Sequence, residues 1–146
     1  MKLSTKGRYG LKAVYALARA ESAGPVALKH VAEEQGIPEA YLEQLMASLR
    51  KAGLVNSVRG ANGGYSLAKV PRDITVADVV QALEGPIAIT ECSLEKENYA
   101  CSNVNDCVLR PLWEKVNDNI LQAFRSVTVQ DLLNNEYHLP NQEGKQ

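Results

Sequence analysis

Three cysteines in one short segment are the residues of this chain with the clearest capacity for chemistry. Cys92, Cys101 and Cys107 are its only cysteines, with eight residues between the first two and five between the last two. Thiols clustered in a reducing compartment favour a metal over a disulfide. Zinc usually takes a tight Cys-x-x-Cys pair with a fourth Cys or His nearby, and this segment has neither. An iron–sulfur cluster accepts thiolates from an irregular loop, while zinc and structural or redox-active thiols remain open alternatives.

The cysteine segment is predicted to join two helices. Before it, DITVADVVQALEG predicts a short helix with Thr75 as N-cap and Asp78 three residues later, close to a capping box. After it, LRPLWEKVNDNILQAFRSV predicts a long helix with Pro111 in its first turn. VTVQDLLNN then repeats the start signal with Thr128 and Asp131, which indicates a reused cap and not a repeated domain.

The first half of the chain predicts three helices. Residues 6–23 form the first, and Lys12 and Arg19 interrupt the apolar run that a secretory signal requires, so a cytoplasmic location is expected. Two further helical patterns are separated by Gly36, which suits a helix end, and Pro38, which suits a first turn. This is a helix-turn-helix pattern. Its apolar faces consist of Leu28, Val31 and Ala32, then Leu42, Leu45, Met46 and Leu49.

The second helix of this pair has an outward face that suits DNA. Glutamine can make two hydrogen bonds to adenine, glutamate can accept one from cytosine, and tyrosine or serine can reach phosphates or base edges. For any single residue, an ordinary solvated helix face is the alternative. The face and its basic end comprise Glu39, Ala40, Tyr41, Glu43, Gln44, Ser48, Arg50 and Lys51.

A predicted β-hairpin follows directly, in LVNSVRGANGGYSLAK. One strand covers residues 54–58 and the return strand starts at Tyr65, with a tip rich in glycine and asparagine. Arg59 lies at the tip, where a guanidinium can enter a narrow minor groove, and the glycines are expected to let the backbone approach the duplex. Because a hairpin directly after a recognition helix is a wing, the first half predicts a winged DNA-binding domain.

Charge is divided unevenly along the chain. Residues 1–72 contain eleven Lys or Arg against five Asp or Glu, and residues 73–146 contain five against twelve, within a formal net charge of −1. This division indicates a basic half that faces a polyanion and an acidic half with another task, with chance scatter as the alternative. No apolar run approaches the roughly 18 residues that a membrane span needs, so a soluble protein is expected.

The long helix predicts a homodimer. Its apolar stripe contains the only Trp and the only Phe of the chain, and a lone projecting helix would expose more apolar surface than a monomer tolerates. A two-fold dimer would cover the stripe and place two recognition helices about one DNA turn, roughly 34 Å, apart. Packing of the helix on its own chain is the alternative. The stripe consists of Leu109, Leu112, Trp113, Val116, Ile120 and Phe124.

Three segments carry a resemblance to a known family. KGRYGLKA, YLEQLMASLRKAGLV and SVRGANGGY resemble the Rrf-type winged-helix transcription regulators, and within them the iron–sulfur cluster regulator (IscR) branch, over nearly the whole chain. The resemblance implies a homodimer that binds a two-fold operator in double-stranded DNA, with a cluster held by cysteines beyond the wing. It also implies DNA contacts at Tyr41, Glu43, Gln44 and Arg59, which match positions that meet DNA in this branch.

The resemblance further implies that the three cysteines bind an iron–sulfur cluster, with [2Fe–2S] favoured over [4Fe–4S]. In the branch a histidine follows three residues after the last cysteine, but this chain has Arg110, whose guanidinium stays protonated and cannot be an ordinary ligand. Some relatives use a carboxylate from the partner's first helix, where this chain offers Arg8 and Lys12, which argues against that arrangement. The fourth ligand therefore stays open between a nearby carboxylate, a partner residue, and an external thiol or water. The nearby carboxylates are Glu91, Glu97 and Asp106.

The sequence thus predicts a mainly α protein with a small β-hairpin wing, in which a winged helix-turn-helix domain is followed by a long dimerisation helix. The predicted function is a transcription regulator that senses iron–sulfur cluster status; the alternative is the same fold sensing a small molecule, a partner protein or thiol oxidation. An enzyme is not expected, because no cofactor loop and no nucleophile with a base is evident. The predicted divisions are residues 1–72 for the DNA-binding domain, 73–90 for a connecting helix, 91–108 for the cluster loop, 109–136 for the dimerisation and C-terminal helices, and 137–146 for a flexible tail.

Overall fold

Six α-helices and one two-stranded antiparallel sheet form the described part of the computed structural model, which covers residues 3–93, 101 and 106–136. The helices are α1 (Thr5–Arg19), α2 (Leu28–Gln35), α3 (Glu39–Lys51), α4 (Val76–Glu84), α5 (Arg110–Arg125) and α6 (Val129–Asn134). The strands are β1 (Val55–Val58) and β2 (Gly64–Leu67), and 3-10 turns lie at Glu21–Ala23, Pro71–Asp73 and Glu91–Ser93. The predicted mainly α fold with a hairpin wing is confirmed. Within the described residues, no helix is long and apolar enough to cross a membrane.

The helix boundaries follow local signals in the sequence. Gly36 ends α2 in the left-handed conformation (φ 66°), as predicted, and Pro38 lies directly before the first residue of α3. α1 ends earlier than predicted, at Arg19, and a 3-10 turn leads from it to Gly24 (φ 89°). Proline disfavours helical geometry in the residue before it, so Pro25 keeps Gly24 out of a helix. The chain leaves α1 before that point.

The main hydrophobic core is built from both halves of the chain. α1 contacts α2, α3, β2, α4 and α6. Ile74, Val79 and Val129, which come after residues 1–72, are buried in the same core as the residues of the first three helices. The division at residue 72 therefore stays a prediction about function, since packing continues across it. The predicted tail, 137–146, lies outside the described residues.

α1 and α4 approach each other closely because α1 presents two glycines to α4. A Cβ at Gly10 would overlap the Leu83 side chain, and one at Gly7 would lie 3.0 Å from Glu84 Oε1. Glu84 Oε1 also accepts hydrogen bonds from the backbone N–H (2.7 Å) and the hydroxyl of Ser4, the residue before α1. A carboxylate is favourable there, because the N–H groups at a helix start lack partners and the helix dipole is positive. Glu84 thus joins the end of α4 to the start of α1.

Both predicted capping boxes are present, and they meet. Thr75 Oγ1 accepts a hydrogen bond from the Asp78 N–H (3.1 Å) while the Asp78 carboxylate accepts one from the Thr75 N–H (2.9 Å). Thr128 and Asp131 repeat both bonds. The two threonines form an antiparallel bridge flanked by two backbone hydrogen bonds of 2.8 Å. The starts of α4 and α6 are therefore tied together, which anchors the C-terminal end of α5.

A smaller apolar cluster joins α5 to the rest of the chain. Ile120, Leu121 and Phe124 of α5 pack against its buried members. The C-terminal half of the predicted dimerisation stripe is therefore partly covered within the chain, and its contact with a second subunit stays a prediction. The physical reason is that the anchored end of α5 lies against α4. The buried members of the cluster are Val76, Val80, Ile87 and Val127.

Candidate DNA-binding surface and cysteine site

α3 has one buried and one exposed face, as a recognition helix requires. Glu43 and Gln44 are exposed. Neither side chain has a hydrogen-bond or ion-pair partner in the part of the chain that the structure describes, so both are available to base edges. The predicted core face is confirmed and consists of Leu42, Leu45, Met46 and Leu49.

Tyr41, near the start of α3, packs against α1. It is half-buried, its hydroxyl donates a hydrogen bond to Thr5 Oγ1 (3.4 Å), and its ring meets that of Tyr9 edge-on with 6.0 Å between ring centroids. These contacts fix the start of α3 against the start of α1. The predicted outward face is corrected at this residue, because its ring and hydroxyl are engaged within the chain; its DNA contact stays a prediction.

The start of α1 carries basic residues that the sequence analysis did not assign to DNA. Lys6, Arg8 and Lys12 are exposed, and Lys12 Nζ lies 5.6 Å from the centroid of the Tyr9 ring. Because Tyr9 and Tyr41 are in contact, this part of α1 adjoins the start of α3. The density of positive charge near the N-terminus was the available signal, but the fold is needed to place that charge beside α3.

The wing presents Arg59 at its exposed tip, between β1 and β2, as predicted. At the end of α3, Arg50 Nη1 donates a hydrogen bond to Ser57 Oγ (3.2 Å) on β1. Arg50 therefore links the recognition helix to the wing, a role that its position at a helix end does not reveal.

Two glycines of the wing are required by the fold itself. A Cβ at Gly64 would overlap the carbonyl of Val26, because Val26 and Tyr65 are joined by two backbone hydrogen bonds of 2.8 Å. A Cβ at Gly63 would overlap the carbonyl of Val58. The expectation that these glycines serve approach to DNA is therefore not needed to explain them.

The three cysteines have different surroundings. Cys92, in the Glu91–Ser93 turn, and Cys107, which precedes α5, are half-buried, whereas Cys101 is exposed. The Cys92 Sγ lies 3.2 Å from Thr90 Oγ1, at hydrogen-bond distance for sulfur. Because the Glu91–Ser93 turn packs against α5, Cys92 is held near that helix.

The three cysteines are the type of residue that binds an iron–sulfur cluster, but their side chains do not converge on one site. Among the described residues, no three Cys, His, Asp or Glu side chains converge on a site that could hold a metal ion. Of the candidates for a fourth ligand, Glu91 and Asp106 are exposed, and Glu97 lies outside the described residues. The donor set therefore suits an iron–sulfur cluster chemically, while its arrangement is not that of a closed site.

Arg110, at the position of the expected histidine, is built into the first turn of α5. Its backbone N–H donates to the Cys107 carbonyl (3.4 Å), and its Nε lies 3.4 Å from Glu114 Oε1, one helical turn later. The side chains of Arg110 and Glu114 are 18% and 35% exposed. A partly buried guanidinium thus lies next to the cysteine segment, where its positive charge favours negative charge nearby.

The helix pair α2–α3, the exposed face of α3 and the hairpin that follows it define a winged helix-turn-helix protein, a class that binds DNA. The chain belongs to the Rrf2 family: the family model described as "Iron-dependent Transcriptional regulator" matches residues 3–135. The predicted family is therefore confirmed, and so is the broader prediction of a transcription regulator.

Relatives of this chain include both IscR and CymR proteins. The HTH-type transcriptional regulator CymR of Bacillus subtilis (strain 168) is 45% identical over 132 residues, which cover 90% of this chain and 89% of CymR. The solved structure of T. potens IscR has a TM-score of 0.73 at 46% identity and covers 92% of this chain and 88% of that one. The structure of CymR, the global cysteine regulator of B. subtilis, has a TM-score of 0.76 at 40% identity, with coverages of 92% and 98%. These relatives are regulators and not enzymes.

Proposed function

We propose that this Rrf2-family regulator is a cytoplasmic homodimer that binds a two-fold operator and receives its signal through Cys92, Cys101 and Cys107. The observation that carries the proposal is the combination, in one fold, of an exposed face on α3 with the turn that holds Cys92, which packs against α5. The exposed face of α3 would read the DNA sequence, and the cysteines would receive the signal away from the DNA-binding surface.

In the proposed complex, Glu43 and Gln44 read base edges in the major groove and Arg59 enters the minor groove. Their exposure and their lack of partners within the described residues support these roles. Tyr41 contacts the duplex beside them, from its anchored position at the start of α3. The basic residues at the start of α1 then lie where they would meet phosphates, which position the protein without reading sequence.

A second copy of the chain is proposed to pack on the start of α5. Three apolar side chains are exposed there: Val108 is 87% exposed, and Leu109 and Leu112 are each 49% exposed. Trp113 and Val116, the next members of the stripe, are half-buried. Because this apolar patch adjoins the cysteine segment, a subunit contact here would place the input next to the dimer seam.

The proposed form of the input is an iron–sulfur cluster bound by the three cysteines, [2Fe–2S] in preference to [4Fe–4S]. Thiolates are the donors that such clusters take, and the likeness to T. potens IscR supports the assignment. When bound, a cluster supplies a group that responds to oxygen and iron. The chain's own contribution is the three thiolates, and a fourth ligand from Glu91, Asp106, the partner or an external group, since Arg110 is excluded by its charge.

Thiol chemistry without a cluster is the second candidate. Its support is that the cysteines are not gathered in the described structure, that Cys101 is exposed to solvent, and that the chain is 45% identical to CymR. In this case a peroxide would oxidise one thiolate to a sulfenic acid and be reduced itself, and this change, and not ligation of three thiolates, would be the signal.

Anaerobic purification followed by an absorption spectrum and iron and sulfide analysis separates the two candidates. A cluster gives visible absorption with iron and sulfide, which each Cys→Ala change removes and a control change, Ser93→Ala, leaves. Thiol sensing gives colourless protein whose operator affinity changes with peroxide and returns with a reductant. If a triple Cys→Ala variant and the parent bind every operator alike under all these conditions, the cysteines are not the input.

A further inference from the structure

We infer that a small cavity bounded by Leu3, α4, the segment directly after α4 and α5 is a binding site for a small primary amine with an apolar body. The cavity is about 180 Å³ in volume. It contains none of the cysteines and none of the side chains assigned to DNA, so the inference goes beyond the proposed function and does not depend on it.

The walls of the cavity set the size and character of the ligand. Six of the seven described residues that line it have apolar side chains, and four of these belong to the smaller cluster that joins α5 to the rest of the chain. An apolar cavity of roughly 150 Å³ is large enough to hold benzene, so a body of about four to six carbon atoms fits here. The apolar lining comes from Leu3, Val80, Pro86, Ile87, Ala88 and Phe124.

One carboxylate, that of Glu84, sets the charge of the ligand. Its Oε1 accepts both hydrogen bonds from Ser4, whereas its Oε2 has no hydrogen-bond or ion-pair partner among the described residues. Among the described residues, no other charged side chain lines the cavity. An ammonium group supplies three donors and the opposite charge, whereas a carboxylate ligand would meet like charge.

Occupation of the cavity would act on the joint between the reading head and the C-terminal half. The lining residues come from just before α1 (Leu3), from α4 (Val80), from the segment that leads to Cys92 (Ala88), and from α5 (Phe124). A ligand that contacts all four stabilises their present arrangement, because it binds the folded form selectively.

Methyl NMR titration of the full-length protein with reduced thiols tests the site directly. The probes are n-butylammonium, 1-butanol and butyrate, which share an apolar body and differ in charge. We expect saturable shifts of the Leu3, Val80 and Ala88 methyl groups with n-butylammonium, weaker binding of 1-butanol, and no saturable shift with butyrate. Butyrate binding as tight as that of the amine, or no saturable shift with any probe, would overturn the inference.

Two variants separate the charge from the cavity. Glu84→Gln keeps an acceptor for Ser4 and is expected to weaken amine binding by about two- to fivefold, since the carboxylate is exposed, while leaving 1-butanol binding unchanged. Ala88→Leu fills the cavity and should abolish binding of both probes, whereas Ala61→Leu on the wing should not. Unchanged amine affinity in Glu84→Gln contradicts the assigned role of the carboxylate, and this comparison does not require the Ala88 variant to fold.

Discussion

Gln44 is an exposed side chain on a helix whose opposite face is buried in the core. Its neighbours Leu42 and Leu45 are buried, whereas Gln44 is exposed and its amide has no partner in the described structure. Removing the amide therefore changes what the helix presents to DNA without changing how the helix packs. Arg59 is comparable to Gln44, since its side chain is exposed at the tip of the wing.

Replacing Gln44 by Ala should cost about 1–3 kcal/mol of discrimination at one base pair in each half-site, because a bidentate contact to a base is lost. Arg59→Ala should weaken binding through the wing. The measurement is binding to a library of operator variants at a single salt concentration. Gln35→Ala, which removes the same group from α2, is the control and should bind as the parent does. Parental affinity and specificity in both variants would contradict the assigned contacts.

Asn117 is a buried polar residue in α5 that the sequence analysis did not single out. It is 9% exposed, and its Oδ1 has no hydrogen-bond partner among the described residues. A buried acceptor without a partner carries the cost of its lost hydration, so replacement by an apolar residue of similar size relieves it. Its position, four residues after Trp113 and three before Ile120, lies on the apolar face of α5, but its polar side chain gave no reason to expect burial.

Asn117→Leu is expected to raise the free energy of unfolding of the reduced, metal-free protein by about 1–3 kcal/mol. Chemical denaturation at a fixed protein concentration measures the change. Asn119→Leu on the same helix is the matched control and should change stability little, because Asn119 is exposed. A loss of stability in the Asn117 variant would mean that the amide finds a partner in the assembled protein.

At the scale of elements, local signals in the sequence were sufficient to predict where helices begin. The contacts between elements could not be predicted from such signals. Both capping boxes follow from threonine and aspartate three residues apart, a spacing that acts within one turn. The bridge between Thr75 and Thr128 joins residues far apart in the chain, so no local pattern reports it. The hydrogen bond from Tyr41 to Thr5 also joins residues far apart in the chain. It is one reason why Tyr41, a predicted DNA-contact residue, is half-buried.

The two caps are expected to be coupled, because the residues that form them are bridged. Thr75→Ala and Thr128→Ala should each cost about 1 kcal/mol of stability through loss of a cap. Since the two sites share backbone hydrogen bonds, the double variant should depart from additivity by about 0.5 kcal/mol or more. Equilibrium unfolding of the four proteins gives the cycle, and Thr75→Ser, which keeps the acceptor, serves as control. Strict additivity would show that the bridge does not couple the caps.

The wing depends on Gly64 for its attachment to the strand-like residue Val26. Ala at this position requires an unfavourable φ near 152° and overlaps the Val26 carbonyl, so we expect a loss of about 2–3 kcal/mol. Gly60→Ala meets no neighbour within 4 Å, and its strained φ alone should cost about 1 kcal/mol. Thermal unfolding of both variants tests the difference, and equal losses would refute a steric role for the Val26 contact.

At the scale of the whole molecule, the cysteine segment is connected to the recognition helix by contacts within one chain. The segment follows α4, the end of α4 contacts the start of α1 through Glu84 and Ser4, and Tyr41 joins that part of α1 to α3. The sequence predicted the donor types of the cysteine site but not its arrangement. Three thiols in a loop identify a class of ligand, whereas the distances between them depend on how the chain folds. Arg110 shows the same limit, since its identity excluded a ligand but its ion pair with Glu114 required the fold.

The start of α5 is expected to be the subunit seam, and Leu112 tests this at the scale of the assembly. Leu112→Glu would bring a charge into an apolar contact, which should weaken the dimer by about 3 kcal/mol or more, roughly a hundredfold in its Kd, and reduce operator affinity although α3 and the wing are intact. Sedimentation and operator binding measure the two effects. Ile120→Glu should instead lower the stability of the chain itself, because Ile120 packs in the internal cluster.

Lys115→Glu is the charge control for this test, because Lys115 is exposed on the same helix and outside the apolar stripe. It should leave the dimer largely intact, so that a loss seen with Leu112→Glu reports burial and not the added negative charge. A Leu112→Glu protein that stays a dimer at low concentration and binds a two-fold operator with parental affinity would place the seam elsewhere.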